Sequence, residues 1–395
     1  MLSSSFLLLL GCGSLEGAGV VDDTSSLHAR PYATIPLGGC SWHHTATLEI
    51  GDQEMVVLVD TGSGTLAISA AGCSTCTASG VTALYDPSHG EATGQSAENR
   101  YGTGVNGWSG EVFRDAVSIG GVEPVEMQFA AVSDQDGMFG TYGCDSADGW
   151  VEGSIDGILG LREDESVAAG TDAYLGALVE DGRMKDSFAV RLCHSGGTLW
   201  LGGFEDGLLT GEMAYTAMTP DYGDSVYVGG IEVLGSAGER TLTPISTEEE
   251  YLPGFLDTGG PYLLFPDDAY TGAMLAITAD PAFALLGDSG WWNGDTPMTS
   301  NLVPTELDAR LPRLIIHIAG SQGIELDLPA TESYVRSYDN GDGTWEYWVG
   351  MYPDSVIGEG WEDFVDLASL PMYSYVLHVD RDAQAVGFAP ASPCL

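Results

Sequence analysis

The sequence predicts an all-β protein of two similar lobes, and three observations lead there. From Thr45 almost to the C-terminus, short apolar stretches are broken every few residues by Gly, Asp, Asn or Pro. That spacing suits strands and turns rather than alternating strands and helices. At 395 residues the chain is well beyond the roughly 150 of an average domain, so two domains are the default. One local design also occurs twice: an apolar strand runs into Asp-Thr-Gly at Asp60 and again at Asp257, positions 197 residues apart.

The elements follow in chain order. Residues 1–12 resemble the end of a bacterial lipoprotein signal, with the apolar run Phe6–Leu10 stopping at Gly11-Cys12. Cys12 is the candidate for lipidation and for the new N-terminus. The run is short and lacks a basic start, which a start codon placed too late would explain; a disordered apolar leader is the alternative. Five apolar residues are too few to span a bilayer. Residues 13–30 are small, polar and aperiodic and read as a tether. The first lobe is expected over 31–218, with strands at Thr45–Ile50, Val56–Val59, Gly110–Ile119, Val125–Val132 and Thr198–Gly202 and a short helix at Asp172–Glu180. The second is expected over 219–395, with strands at Ser225–Leu234 and Leu314–Ile318 and helices at Pro266–Thr278 and Pro281–Leu286. Tyr334–Tyr338 and Trp345–Val349 read as a hairpin about Asn340-Gly341-Asp342-Gly343. Those carboxylates lack the spacing of a calcium loop and no Glu closes it, so a turn is the better reading.

Charge narrows the function. There are 58 acidic and 12 basic residues, a net charge of −46, and Lys185 is the single lysine. Such a surface repels polyphosphate and anionic lipid, which argues against nucleic acid and against a charge-held membrane association. A hydrophobic fraction of 44% supplies a core. The charge suits an acidic medium or a salty one. Setting Cys12 aside leaves six cysteines, enough for three disulfides outside the cytoplasm and open to 15 connectivities. Cys73-Ser-Thr-Cys76 is the local pair expected to close a small loop; a thioredoxin-like redox motif ranks lower, because the segment follows a strand and loop. Zinc would need two more ligands there, and the pair His43-His44 reads as surface or strand-edge histidine. No metal and no cofactor are expected.

The repeated Asp-Thr-Gly carries the chemistry. Val56-Val57-Leu58-Val59 leads into Asp60-Thr61-Gly62-Ser63, and Gly254-Phe255-Leu256 leads into Asp257-Thr258-Gly259-Gly260. An apolar strand that delivers a carboxylate to a tight glycine turn leaves it semi-buried among backbone N–H groups. Two such carboxylates meeting between lobes share one proton, since like charges a few ångströms apart do not both ionise. One then acts as base and the other as acid on a water between them.

On these residues the chain resembles the pepsin-like aspartic peptidases, over nearly its whole length from Thr45. Asn99-Arg100-Tyr101-Gly102-Thr103-Gly104 is similar to that family's flap, and Asp156-Gly157-Ile158-Leu159-Gly160-Leu161 to the apolar-apolar-Gly element bracketing the first loop. Gly197–Gly203 with Phe204 resembles the strand and turn closing the first lobe, and His378-Val379-Asp380-Arg381 to Pro390 the C-terminal hairpin. The resemblance implies a bilobal pepsin-like acid protease fold with a cleft for an extended polypeptide. It implies Asp60 and Asp257 as catalytic, with Tyr101, Gly102 and Thr103 closing over substrate. Ser63 would bond the outer oxygen of Asp60, the N–H groups of Gly62 and Gly259 would support the carboxylates, and Thr61 and Thr258 would lock the loops together. The expected partner is a polypeptide substrate, the expected state a monomer, and the expected place the bacterial cell envelope or the exterior, with membrane contact only through a lipid on Cys12.

Four departures from the family pattern stand out. Gly260 replaces the second hydroxyl residue, which should raise the pKa of Asp257. Ala67 stands where a tryptophan would support Tyr101, leaving Trp108 or water as its partner. The second apolar-apolar-Gly element is Leu367-Ala368-Ser369, or Val356-Ile357-Gly358 if the intervening loop is long. About thirty residues precede the first predicted strands, with Arg30 their only basic side chain, so no basic propeptide is expected. These departures motivate a second reading, a catalytically weak or inactive protein of this fold that binds a polypeptide or other partner. Two-carboxylate glycoside hydrolysis has only the residue type in its favour.

Overall fold

The computed structural model describes residues 30–40, 43–102, 104, 106–146, 149–163, 167–220, 222–287, 291–293, 296–320, 323–357 and 364–394. The candidate lipidation site Cys12, most of the tether and Thr103 lie outside them.

The protein is mostly β, built on two large sheets. The first has thirteen strands. Its centre runs Ala33–Cys40, His43–Ile50, Gln53–Asp60, Gly157–Gly160, Leu66–Ser69, Val125–Asp136, Asn106–Ile119 and Glu91–Tyr101 in spatial order. The second has eight strands, with Arg313–Ile318, Val226–Leu234, Leu252–Phe255, Val365–Asp366 and Leu263–Phe265 side by side. Strands expected at Thr45–Ile50, Val56–Val59, Val125–Val132 and Leu314–Ile318 all form, one to four residues longer than expected. The strand Ala33–Cys40 was not anticipated, because its alternation is broken by Pro36 and by Gly38-Gly39. It pairs with Ser195–Leu201 across a register shift between Leu37 and Cys40.

The helices expected near 172–180 and 266–278 form at Tyr174–Glu180 and Asp267–Ala279, and Pro281–Leu286 is a 3₁₀ turn. In the hairpin Val335–Asp339/Trp345–Val349 the acidic turn is closed from within. Asp339 accepts from Gly341 N–H at 2.8 Å, and Asp342 accepts from the Thr344 N–H at 3.0 Å and hydroxyl at 2.6 Å.

The end of the chain returns to the first sheet. Tyr375–Asp380 pairs with Ser187–Leu192, and Ala385–Pro390 with Ala214–Ala217, so chain order and sheet membership part company at the C-terminal hairpin. Cys73 and Cys76 are joined by a disulfide, and a second links Cys193 to Cys394 across 201 residues. Of the His43-His44 pair, His43 is half-buried at the start of its strand, whereas His44 is not a surface or strand-edge group. His44 is fully buried, its Nε2 bonds Cys193 O at 2.8 Å, and burial pulls its pKa down to about 4.

Candidate active site

Both Asp-Thr-Gly turns are held from behind by a parallel strand. Gly157–Gly160 lies beside Gln53–Asp60 with Gly160 opposite Asp60, and the Leu161 N–H donates to Asp60 O at 2.8 Å. A Cβ on Gly160 would come within 2.4 Å of Thr65 N, so only glycine allows that approach. In the second half Val365–Asp366 lies parallel to Leu252–Phe255, with Phe255 opposite Asp366. Extending that register by two residues sets Ala368 opposite Asp257. The bracketing element is therefore Leu367-Ala368-Ser369, and Val356 instead belongs to a 3₁₀ turn. Ala368 takes the left-handed φ of 49° that glycine would adopt without strain.

The structure brings the two loops together through their threonines. The Thr61 N–H donates to Thr258 Oγ1 at 3.0 Å and the Thr258 N–H to Thr61 Oγ1 at 2.9 Å. The hydroxyls then reach past each other, Thr61 to Leu256 O at 2.6 Å and Thr258 to Val59 O at 2.7 Å. All of these groups are buried, so each backbone polar group needs the partner it has.

Held this way, the aspartates share one small volume. The Gly62 N–H donates to Asp60 Oδ1 and the Gly259 N–H to Asp257 Oδ1, each at 2.8 Å. A Cβ on Gly62 would lie 2.5 Å from Asp257 Cγ, and one on Gly259 would lie 2.8 Å from Asp60 Oδ1. Each loop's glycine thus touches the other loop's carboxylate. Ser63 donates to the outer oxygen of Asp60, a bond the second loop lacks because Gly260 has no side chain. The pKa of Asp257 is raised well above the ordinary range. Desolvation is the largest cause, followed by repulsion from Asp60 and from Asp366, and by a hydrogen bond with Asp60. Asp257 therefore holds a proton under conditions where a free aspartate has lost it.

Tyr101 ends the strand Glu91–Tyr101, at the tip of its hairpin with Asn106–Ile119, where Gly102 and Gly104 take left-handed φ values of 51° and 75°. Its hydroxyl accepts from Trp108 Nε1–H at 3.0 Å and hydrogen-bonds Ser63. The Asn99 amide also donates to that hydroxyl at 3.5 Å, and Ser63 itself donates to Asp60, so the tyrosine and one carboxylate share the serine as a neighbour. Trp108 and Ala67 belong to one buried apolar cluster, and the indole reaches the tyrosine from the partner strand of its own hairpin.

Two further acids of the region have different standing. Asp156 is buried but fully engaged in structure, accepting from the N–H groups of Val56, Thr82 and Ala83 and the hydroxyl of Ser154. Asp366 was not singled out from sequence. Its signal was a carboxylate inside the apolar run Phe364-Val365-Asp366-Leu367-Ala368. A hollow of about 600 Å³ between Arg114, Glu126, Glu180 and Arg183 includes none of the loop residues in its lining.

Two β sheets joined by a pair of Asp-Thr-Gly loops define an aspartic protease architecture. The chain belongs to the eukaryotic aspartyl protease family, whose profile matches residues 43–391. It is 26% identical to gastricsin of Cavia porcellus over 347 residues, 86% of this chain and 77% of that protein. It is 25% identical to pepsin A of Sus scrofa over 359 residues, 88% of this chain and 80% of that protein. An aspartic protease of Phaffia rhodozyma is 28% identical over 194 residues, 49% of this chain and 45% of that protein.

Proposed function

We propose that the protein is an aspartic-type endopeptidase acting on polypeptides at acidic pH, with Asp60 and Asp257 as its catalytic pair. The observation that carries this reading is the mutual contact of the two loops, in which each glycine turn packs on the opposite carboxylate. Burial and repulsion from Asp60 favour the protonated form of Asp257, so the pair holds one proton. A water between the carboxylates gives its proton to the ionised member while its oxygen attacks the scissile carbonyl carbon. The protonated member, Asp257 from its raised pKa, gives its proton to the carbonyl oxygen. Collapse of the resulting diol returns that proton to Asp257 and breaks the C–N bond, while the proton that Asp60 took from water passes to the leaving nitrogen. The Tyr101 hairpin covers the site, and Thr61, Thr258, Gly62, Gly259 and Ser63 hold it in shape.

The disulfides Cys73–Cys76 and Cys193–Cys394 suit an oxidising compartment, and we place the enzyme outside the cytoplasm, in the cell envelope or secreted, with Cys12 as a candidate lipid anchor. Cleavage of a denatured protein should occur somewhere between about pH 3 and 7, the span of shifted carboxylate pKa values. Asp257→Asn should abolish it while leaving the fold intact, and a statine-type peptide should bind the unsubstituted chain. A folded protein that neither cleaves nor binds the peptide ends this reading in favour of a non-catalytic binder.

A further inference from the structure

The two halves of the site are not equally furnished. Asp60 has the Gly62 N–H on Oδ1 and the Ser63 hydroxyl on Oδ2. Asp257 has the Gly259 N–H on Oδ1, but at the place of Ser63 stands Gly260. A Cβ on Gly260 would lie 2.9 Å from Asp257 Oδ2 and 3.4 Å from Asp366 Oδ2. The volume a serine hydroxyl would use is therefore bordered by one oxygen of each carboxyl group.

Asp366 occupies an apolar position. It lies between Phe255 of one strand and Leu264 of another. Neither flanking strand, Leu252–Phe255 or Leu263–Phe265, carries a charged residue. Two residues before the bracketing position, the first half has the buried Ile158 where the second has Asp366. Its Oδ1 accepts the Ala368 N–H at 2.7 Å, which leaves Oδ2, the oxygen above Gly260, to carry a proton.

We propose that Asp366 is a positioning residue that works protonated, its Oδ2–H directed at Asp257 Oδ2 in place of the hydroxyl missing at Gly260. This rests on the reading of Asp60 and Asp257 as the catalytic pair. Desolvation pushes the pKa of Asp366 up to about 7; the Ala368 N–H opposes this and the Asp60 charge adds to it. The charge acting on it is thus that of Asp60, which favours its neutral form, while the charge of Asp366 would in turn favour the neutral form of Asp257. Below pH 7 it is a donor. Above, it becomes a second negative charge beside the one the pair carries, the donor is lost, and cleavage falls.

The full chain carries the test, with kcat and KM measured from pH 4 to 8 and the fold of each variant checked by circular dichroism. Asp366→Asn keeps a donor that does not ionise, so kcat at pH 5 should stay within about three-fold and the alkaline fall should move to higher pH. Asp366→Val removes the donor, and kcat should drop about ten- to hundred-fold with KM little changed. Adding Gly260→Ser to the valine variant should recover most of that loss, which a merely structural role of Asp366 would not allow. Independently of activity, difference infrared spectra of the unsubstituted chain should lose a protonated-carboxyl band near pH 7 that Asp366→Asn lacks. The proposal is overturned if Asp366→Val keeps full kcat and an unchanged pH profile, if Asp366→Asn is as damaging as valine, or if that band is absent. A chain that shows the band but cleaves nothing would instead contradict the catalytic reading.

Discussion

The threonine exchange between the loops makes a quantitative demand. Replacing Thr258 by Val keeps its shape but removes the oxygen that donates to Val59 O at 2.7 Å and accepts from the Thr61 N–H at 3.0 Å. Both partners sit in a buried region from which water is excluded, so both are left unpaired. Each orphaned group costs about 1–3 kcal/mol, and the pair about 2–6 kcal/mol. Against a typical total of about 5–15 kcal/mol, that is a large fraction of the stability of the protein. Thr258→Ser keeps the hydroxyl and loses one methyl group, a cost of about 1 kcal/mol. Urea unfolding followed by intrinsic fluorescence gives the difference as a shift in midpoint at constant slope. Valine should be clearly worse than serine, and Thr61→Val should resemble Thr258→Val, because Thr61 serves Leu256 O and the Thr258 N–H in the same way. A valine cost below about 1 kcal/mol, or equal to that of serine, would refute the argument that these hydroxyls satisfy buried backbone groups.

Other perturbations test the site piece by piece. Gly62→Ala would set a methyl 2.5 Å from Asp257 Cγ, and kcat/KM should fall about a hundred-fold or more in a protein that still folds, since small displacements of reacting groups cost that much. Trp108→Phe keeps the ring and removes the donor to Tyr101, so kcat/KM should fall about two- to ten-fold, as it should in Tyr101→Phe, with no further loss in the double variant. Stability should decline as pH rises from about 6.5 to 8: the folded state still binds a proton at Asp366, whose pKa is pushed up to about 7, where the unfolded chain has released it. His43 and His44, both lowered to about 4, act with the opposite sign, but their contribution changes only between about 4 and 6.5. A urea midpoint that is flat or rising over the upper interval would contradict these assignments, and Asp366→Asn should lessen the decline.

What the sequence revealed, it revealed through local chemistry repeated at long range. An apolar strand entering Asp-Thr-Gly is readable because strand and turn preferences and the carboxylate lie within eight residues, and the second copy fixed where the halves meet. Gly260 and Ala67 were visible as losses, since a missing side chain is a local fact. Their compensations were hidden because they come from elsewhere in the fold. Trp108 reaches Tyr101 by cross-strand pairing, in which Asn99 faces Trp108, and it could be named only as one candidate partner. Asp366 is more than a hundred residues from the loop it completes, and only the register of two short strands brings it there. His44 was misread for a similar reason: adjacent histidines look like surface, and only the packing of Cys193 and Tyr373 against this strand shows that one is sealed inside.

The charge imbalance takes on meaning at Arg381. With twelve basic residues against 58 acidic ones, most carboxylates have no cation to meet, so where the cations do stand is informative. The Arg381 side chain is buried in the turn of the C-terminal hairpin. It holds Asp224 through two nitrogens at 2.9 and 2.5 Å and Asp186 at 3.0 Å, with Glu163 at 3.7 Å. Its Nη2 also donates to Leu161 O, and Leu161 is the residue whose N–H fixes the carbonyl of Asp60. One guanidinium therefore ties the end of the chain, the segment leading into the second sheet and the backbone behind Asp60. A planar cation with five donors suits that task where an ammonium does not, and the basic residues are arginine in all but one case. Desolvation raises the pKa of Asp186 and of Glu163, so acid weakens the anions around Arg381 without leaving a bare buried carboxylate. Loss of the arginine at neutral pH would leave the buried Asp224 without its cation, the costly way to break a buried ion pair. A chain this acidic tolerates its charge on the surface because water and counterions screen it there. Beneath the loops, where screening fails, the acids are matched by Arg381, held by N–H and hydroxyl donors as at Asp60 and Asp156, or, as at Asp257 and Asp366, pushed towards their neutral form.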